Sequence, residues 1–313
     1  MLTDRRGLLI GAGITLAVIV LLYVTDQQQA LIIGLITGAS YGLVALGLVL
    51  VYKSSGIFNF AQGEFGTVAV WALYLATTND VPYGFAIVIA LVVAGVFGLA
   101  TERVIIRPLS SSPRVTLLVA SAATAFVAIA VQLWIGQAKI RPLDPALPRQ
   151  DRVKVLDVFI SDQRLLIFAA IAAIAVVLGW FFNRTNLGLA VLAASQEPTA
   201  TSLVGINVRT LSALVWLLAA LLGGIAGILT GPLSGFGPGF LTLGSLVAGF
   251  TAAVIGGFVS LPGAFLGGVI VGVTQSVATS ADIFQDIPGP QTASLFVLLV
   301  LILLVKPQGL LSS

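Results

Sequence analysis

Long runs without charged residues limit the possible folds of this chain more than any other feature of its sequence. The run from Ala30 to Tyr52 has 23 residues and no charged side chain. As an α-helix rising about 1.5 Å per residue it would extend roughly 34 Å, enough to cross the hydrocarbon core of a bilayer with some tilt. Charged residues form 9% of the chain, against about 25% in soluble domains. The sequence therefore predicts an all-α polytopic membrane protein.

Hydropathy predicts about ten transmembrane or partly broken helices in a single transmembrane domain covering residues 1–313. The first apolar run follows Arg5 and Arg6 but precedes no small-residue cleavage site, so we expect a retained helix and not a signal peptide. Pro262 and Gly263 lie between the eighth and ninth spans, which are either full crossings or short, broken helices. The predicted spans are 7–24, 30–52, 57–77, 84–100, 115–136, 165–182, 211–231, 241–258, 264–279 and 291–305.

Basic residues predict which ends of these spans are cytoplasmic, because Lys and Arg are enriched in cytoplasmic loops. With both termini in the cytoplasm, nine of the fifteen basic residues fall in cytoplasmic segments. The loop 137–164 is placed outside although it holds the other six. We keep this orientation because five cytoplasmic segments agree with it and one external loop does not. It places residues 183–210 in the cytoplasm.

The segment NFAQGEFG puts polar side chains beside a predicted span. Glu64 would lie about two turns inside a helix that begins at Ile57, near its cytoplasmic end. A carboxylate within a span costs on the order of 3 kcal/mol, so it usually faces a bundle interior or a water-filled cavity. We predict that Asn59, Gln62 and Glu64 line the translocation path or form a gate, with Glu64 accepting hydrogen bonds from a neighbouring helix terminus. The alternative is an interfacial Glu64 that snorkels or caps a helix beginning near Gly63.

The glycines predict both close packing between helices and a break in one helix. Small residues within the spans permit close approach of helix backbones. The stretch GPLSGFGPGF, residues 231–240, has four glycines and two prolines in ten residues and is predicted to be non-helical. Within a membrane such backbone must line protein or water.

Residues 183–210 are too polar to cross a membrane and carry start and stop signals of a short helix. Pro198 suits the first turn, where its missing N–H costs nothing, and Gly205 suits the left-handed position after the helix end. The intervening TATSLV forms less than two turns and is marginal by itself. The segment is either a loop packed on its neighbouring helices or a docking element for a soluble subunit.

The residue types exclude several chemistries. The chain has no cysteine and no histidine, which excludes disulfides, Cys/His metal sites and Ser-His-Asp catalysis. It has no G-x-x-x-x-G-K-[ST] sequence, so it cannot hold ATP phosphates in a P-loop, and if ATP drives the protein the nucleotide must bind another chain. The net charge of +3 comes without a dense Lys/Arg stripe and does not predict nucleic-acid binding.

Three segments in order carry a resemblance to a known family: NFAQGEFG, LGLAVLAASQEPTATSLVGINV and AAVIGGFVSLPGAFLGG. From about Leu31 to Gly309 the chain resembles the permease subunits of branched-chain amino acid ABC importers, most closely the H-type permease. The resemblance implies a bacterial cytoplasmic membrane location, a second permease in a heterodimer or a homodimer, and an extracytoplasmic solute-binding protein. It also implies no cofactor on this chain, with ATP and Mg²⁺ held by two ATP-binding subunits.

The same resemblance identifies residues 183–210 as a coupling segment whose short helix docks into a groove of the ATPase. The residues it assigns to this contact are Glu197, Pro198, Thr199, Leu203, Gly205 and Ile206. Related permeases also serve urea and short amides, so the cargo is a branched-chain amino acid or a related small polar solute.

Two alternative functions are consistent with the residues alone. In an ion-coupled secondary transporter, Glu64 would bind a proton or sodium ion at a broken helix. In an intramembrane enzyme, Glu64 and loop aspartates would supply acid–base chemistry, but no span contains paired carboxylates. The sequence favours the importer permease over both.

Overall fold

The computed structural model describes residues 28–147, 152–155, 158–258, 260–280, 288–306 and 309. The first predicted span, 7–24, lies outside these residues. Twelve α-helices occur in the described part of the chain, and six of its helical segments are long and apolar enough to cross a membrane. The helices are α1 (Gln28–Ser55), α2 (Gln62–Thr78), α3 (Tyr83–Ala100), α4 (Arg114–Gly136), α5 (Asp162–Arg184), α6 (Asn186–Gln196), α7 (Pro198–Leu203), α8 (Val208–Ser234), α9 (Phe240–Gly244), α10 (Leu246–Gly256), α11 (Leu261–Ser280) and α12 (Pro290–Val305).

The helices lie where the hydropathy places the spans, but the predicted number of about ten is not confirmed. The predicted span 241–258 divides at Ser245 into α9 and α10. The stretch 231–240 is non-helical only in part, because α8 continues through Pro232 to Ser234. The break lies at residues 235–239, where Gly235 and Gly239 have φ of +72° and +70°. Glycine populates this left-handed region without the Cβ clash that other residues meet there.

A short β-hairpin is the exception to the predicted all-α fold. β1 (Arg152–Val155) pairs antiparallel with β2 (Val158–Ser161), within the predicted loop 137–164. Strands of four residues show too little alternation to be distinguished from a loop by sequence pattern.

The chain divides into two compact units, and the divisions fall inside α1 and α5, within the loop 137–164 and after the first residue of α10. The first unit holds the described residues up to Val49, those from 152 to Phe168 and those from Val247 onward. In it, α1 and α11 are in backbone contact: a Cβ built on Gly34 would lie 2.6 Å from the Cα of Val273. Glycine permits this close approach, which is a main source of helix association in lipid.

The second unit is built around α2, α3 and α8. A Cβ on Gly98 of α3 would lie 2.9 Å from the carbonyl oxygen of Trp216 on α8, so these helices also pack through backbone. Phe65 and Trp216, both fully buried, meet edge to face with ring centroids 6.3 Å apart. The unit thus has a dense core between its three central helices.

A π-helical segment, Thr101–Ile106, continues α3. The backbone N–H of Arg107 donates to the Glu102 carbonyl oxygen at 2.7 Å, five residues earlier. Single π-turns of this kind occur often at functional sites.

Candidate translocation and coupling sites

The polar segment that precedes α2 is non-helical and largely buried. Asn59 and Ala61 are fully buried, and the Asn59 Oδ1 accepts a hydrogen bond from the Ala61 N–H at 3.0 Å. The Phe60 N–H donates to the Ser121 hydroxyl of α4 at 3.2 Å. These side chains satisfy backbone groups that have no helical partner, as non-helical backbone within a membrane protein requires.

Gln62 connects this segment to α8. Its side chain is fully buried, and its Nε2 donates to the Ala219 carbonyl oxygen at 2.9 Å. The Asn59 Nδ2 lies 3.5 Å from the Gln62 Oε1. The structure therefore brings together two of the three residues predicted for the path or gate, and ties them to the middle of α8.

Glu64 is the centre of a second network in the same unit. Its Oε2 accepts a hydrogen bond from the Nε2 of Gln132, in the last two turns of α4. The Oε1 of Gln132 in turn accepts from the Gly239 N–H at 3.0 Å. The Thr242 hydroxyl lies beside the Glu64 carboxyl group but falls short of hydrogen-bond geometry, so the Glu64 Oε1 has no partner among the described residues.

α2 contacts the segment after the α8 break at two further points. The Thr67 hydroxyl accepts a hydrogen bond from the Leu241 N–H at 3.1 Å. A Cβ on Gly63 would lie 2.6 Å from the Cα of Thr242, so α2 and α9 are in backbone contact there. Residues 239–242 are therefore held by polar side chains from α2 and α4.

Two expectations about Glu64 are wrong. α2 begins at Gln62 and not at Ile57, because Asn59 and Ser121 hold the preceding backbone in a turn; Glu64 therefore lies in the first turn, and Asn59 precedes the helix. The carboxylate accepts from a side-chain amide and not from a helix terminus. The alternative correctly placed the helix start near Gly63, but its snorkelling Glu64 is wrong, since this residue is 0% exposed.

The coupling segment has the local geometry that Pro198 and Gly205 predict. Pro198 is in the first turn of α7, and Gly205 has φ of +85° just after the helix ends. Glu197 precedes α7 with φ of −138° and ψ of 84° and makes no side-chain capping bond. The Ile206 N–H donates to the Thr201 carbonyl oxygen at 3.3 Å, which closes the end of the helix.

α7 presents apolar side chains on its surface. Leu203 is 82% exposed and the adjacent Val204 75% exposed. Thr199 is also exposed, whereas Ile206 is half-buried. Most of the residues assigned to the coupling contact thus lie on an accessible surface.

Sequence reasoning missed an ion pair at the end of α3. Glu102 is 2% exposed in its side chain and pairs with Arg107, with 2.8 Å between Oε2 and the guanidinium Nη2. The same nitrogen donates to the Arg209 carbonyl oxygen in the first turn of α8 at 3.2 Å. The pairing depends on the π-turn, and an α-helical pattern gives no signal for a contact five residues apart.

Membrane-length helices, buried non-helical segments between them and a short surface helix are features of an integral membrane transport permease. The sequence comparison identifies the permease family. The chain belongs to the family of branched-chain amino acid transport system permease components, whose pattern matches residues 30–305. Members of this family are transport subunits and not enzymes.

Two curated relatives and one solved structure illustrate the similarity. The chain is 34% identical to the high-affinity branched-chain amino acid transport system permease protein BraD of Pseudomonas aeruginosa, over 90% of this chain and 95% of the relative. It is 28% identical to the permease protein LivH of Escherichia coli, over 90% and 94%. The structure of PsaBC from Streptococcus pneumoniae in complex with Fab aligns with a TM-score of 0.50 at 13% identity, over 88% of this chain and 91% of that chain. This last likeness concerns the fold alone.

Proposed function

We propose that this chain is the permease subunit of an ATP-driven importer for branched-chain amino acids or a related small polar solute. The observation that carries the proposal is a pair of exposed apolar residues at the end of the six-residue helix α7: Leu203 is its last residue and Val204 follows it. A helix this short is marginal by itself, and exposed apolar residues on it suit insertion into a groove of another protein. The contact surface is formed by Glu197, Pro198, Thr199, Leu203, Gly205 and Ile206.

α8 links this surface to the buried polar network. It has 27 residues and extends roughly 40 Å as an α-helix. Its first turn lies at the end of the coupling segment and accepts the hydrogen bond from Arg107. Its middle holds Gln62, and its far end leads into residues 239–242 beside Glu64. A displacement of α7 by the ATPase can therefore be transmitted along α8 to these residues.

Transport in this proposal proceeds by alternating access. Asn59, Gln62 and Glu64 are fully buried, so none faces an open path in the conformation described. We assign them to a gate that separates as α8 moves relative to α2 and α4. The energy comes from the difference in nucleotide affinity between the two conformations of the assembled importer.

The remaining parts of the proposed assembly are those that the family resemblance implies. A second permease completes a heterodimer or homodimer, two ATP-binding subunits hold ATP and Mg²⁺, and an extracytoplasmic solute-binding protein delivers cargo. We place the importer in a bacterial cytoplasmic membrane, with both termini in the cytoplasm and the loop 137–164 outside. Residues 1–313 act as one permease domain.

Affinity purification in mild detergent tests the assembly. We expect an ATPase and a second permease to co-purify with the tagged chain. Leu203→Ser should weaken recovery of the ATPase about tenfold, since losing one buried apolar anchor costs about 1–2 kcal/mol. Leu304→Ser changes a leucine of similar exposure, 76%, outside the coupling segment and should have no effect. If no ATPase is recovered with the native chain, the proposed function is overturned. If Leu203→Ser recovers the ATPase normally, the assignment of the contact surface to α7 is overturned.

The orientation is testable with single cysteines, because the native chain has none. Ser234→Cys should react with an impermeant thiol reagent added outside intact cells, and Ser195→Cys only after the cytoplasmic side is opened. Labelling of Ser195→Cys from outside would invert the proposed orientation and remove α7 from the cytoplasm.

A further inference from the structure

Residues 139–143 form a strap alongside the break between α8 and α9. Arg141 in the strap and Phe236 in the break form an isolated antiparallel bridge. The Arg141 N–H donates to the Phe236 carbonyl oxygen at 2.8 Å, and the Phe236 N–H donates to the Arg141 carbonyl oxygen at 2.9 Å. The strap therefore satisfies backbone groups of the break that have no helical partner.

Close contacts fix the strap to the end of α8. Leu143 is 6% exposed and lies against the last turn of this helix, where a Cβ on Gly231 would be 2.9 Å from the Leu143 Cδ2. A Cβ on Gly235 would lie 3.0 Å from the Arg141 carbonyl oxygen and 3.0 Å from the Ile140 Cγ2. Because the strap and the helix end are packed this tightly, we expect them to move together.

The side chains of Arg141 and Phe236 both reach α2. The Arg141 guanidinium carbon lies 5.0 Å from the centre of the Trp71 ring, within the range of a cation–π contact. The Phe236 ring is 1% exposed and meets the Trp71 ring edge to face, with centroids 5.2 Å apart. It also contacts the Tyr74 ring at 5.3 Å. One indole on α2 thus contacts a cation from the strap and a ring from the break.

The same break carries the hydrogen bond that leads to Glu64. Its last residue, Gly239, donates its N–H to Gln132, which in turn donates to the Glu64 carboxylate. When α8 and the break move away from α2, the two backbone bonds of the strap move with them, but the contact between Arg141 and Trp71 is lost. The guanidinium therefore stabilises the closed gate relative to the open one.

We propose that Arg141 is a positioning residue for transport, which holds the break against α2 and sets how often the gate opens. The inference rests on the proposed function, which assigns the gate. A cation–π contact of this kind changes the ratio of two conformations by about 2- to 30-fold. Removing the guanidinium should therefore raise the population of the open gate by that factor.

Thiol labelling at the interface between α2 and α9 tests this. Thr67 is fully buried and accepts the Leu241 N–H across this interface, so Thr67→Cys should react with a maleimide only while the gate is open. The chain has no other cysteine, and the labelling rate follows the open population. In the assembled importer in nanodiscs the reagent reaches both faces, so the result does not depend on orientation. We expect Arg141→Ala to speed this labelling about 2- to 30-fold.

Three further variants show whether the cation over the ring is the cause. Arg141→Lys keeps a cation that can lie over the indole and should label more slowly than Arg141→Ala. Lys139→Ala removes an exposed cation from the same strap and should leave the labelling rate of Thr67→Cys unchanged. Ala90→Cys places a thiol at a fully buried position of α3 and should stay unlabelled in the Arg141→Ala background. Labelling there as fast as at Thr67→Cys would overturn the inference, since it would show general loosening of the unit.

Equal labelling of Thr67→Cys with and without the Arg141 guanidinium would also overturn the inference. So would a lack of labelling in both, even during ATP hydrolysis, because the interface would then not open. Co-purification of the ATPase separates these results from a failure of the proposed function. If the ATPase co-purifies and labelling is unchanged, the importer function stands and the role of Arg141 is wrong. If no ATPase co-purifies, the proposed function is wrong and the inference fails with it.

Discussion

The Glu64 carboxylate accepts a hydrogen bond from the side chain of Gln132, and the other end of that side chain accepts one from the Gly239 backbone. One amide group thus joins the first turn of α2 to the break between α8 and α9. Both of its ends are engaged, so Gln132 cannot rotate without losing one bond. The buried carboxylate and the break are therefore mechanically connected.

Replacing Glu64 separates hydrogen bonding from charge as the role of this carboxylate. Glu64→Gln keeps an acceptor for Gln132 and adds an N–H group that can donate a hydrogen bond to the nearby Thr242 hydroxyl. Glu64→Ala leaves the Gln132 amide without its buried partner, which costs about 1–3 kcal/mol. We expect Glu64→Gln to retain most transport and Glu64→Ala to lose assembled complex, measured by uptake and by gel filtration of the solubilised importer.

The opposite pattern would show that the charge itself is needed. In that case Glu64→Gln assembles fully but transports no better than Glu64→Ala. That outcome would favour direct ion or cargo recognition by Glu64 over the gate assigned to it here.

The helices were predictable from sequence because apolar length is a strong local signal, and α1, α4 and α12 end within a few residues of their predicted bounds. Pro198 and Gly205 likewise act locally, so the bounds of α7 followed from them. The partners of Glu64 were not predictable. Gln132 lies 68 residues along the chain, and its contact depends on how α2 packs against α4. Hydropathy placed Asn59 on a helix. In the structure Asn59 precedes the helix, because its side chain bonds to the turn and this competes with helix formation, which hydropathy does not register.

The conformation of Gly205 should be needed for coupling. Nothing lies within 4 Å of a Cβ built at this position, but φ is +85°, so a side chain meets a backbone penalty and no steric contact. A left-handed conformation costs a β-branched residue roughly 1–3 kcal/mol. We expect Gly205→Val to insert normally and to lose transport relative to ATP hydrolysis, measured as leucine taken up per ATP hydrolysed.

Gly84→Val is the matched control for this variant. It also adds its side chain to open space, and Gly84 has no positive φ. An unchanged transport ratio in Gly205→Val would show that α7 is not the coupling element or that its end tolerates a different backbone.

The ion pair at the end of α3 should stabilise the start of α8. Arg107→Leu leaves the Glu102 carboxylate buried without its partner and removes the bond to the Arg209 carbonyl oxygen. Because the Arg107 side chain is 35% exposed, we expect a loss of about 1–3 kcal/mol, below the cost of breaking a fully buried pair. Thermal unfolding in detergent measures this loss. Arg103→Leu, at an exposed arginine in the same segment, should unfold at the native temperature.

The double variant Glu102→Gln with Arg107→Leu tests the reason for that loss. It removes the uncompensated carboxylate as well as the arginine, so it should be more stable than Arg107→Leu alone. Equal stability of the two would show that the bond to Arg209, and not the buried charge, accounts for the effect.

Exchanging the amide and the carboxylate between positions 64 and 132 tests the connection described first. Gln132→Glu alone places two carboxylates in contact within a buried site, and we expect it to prevent assembly. Adding Glu64→Gln restores one amide and one carboxylate. The new amide at position 64 can donate to the carboxylate at position 132, whose second oxygen still accepts from the Gly239 N–H. The double variant should therefore assemble better than Gln132→Glu, with a coupling energy of about 0.5–3 kcal/mol in a double-mutant cycle of thermal stability. Additive effects of the two substitutions would mean that Glu64 and Gln132 do not depend on each other, and the gate would then have to be assigned to Gln62 and α8 alone.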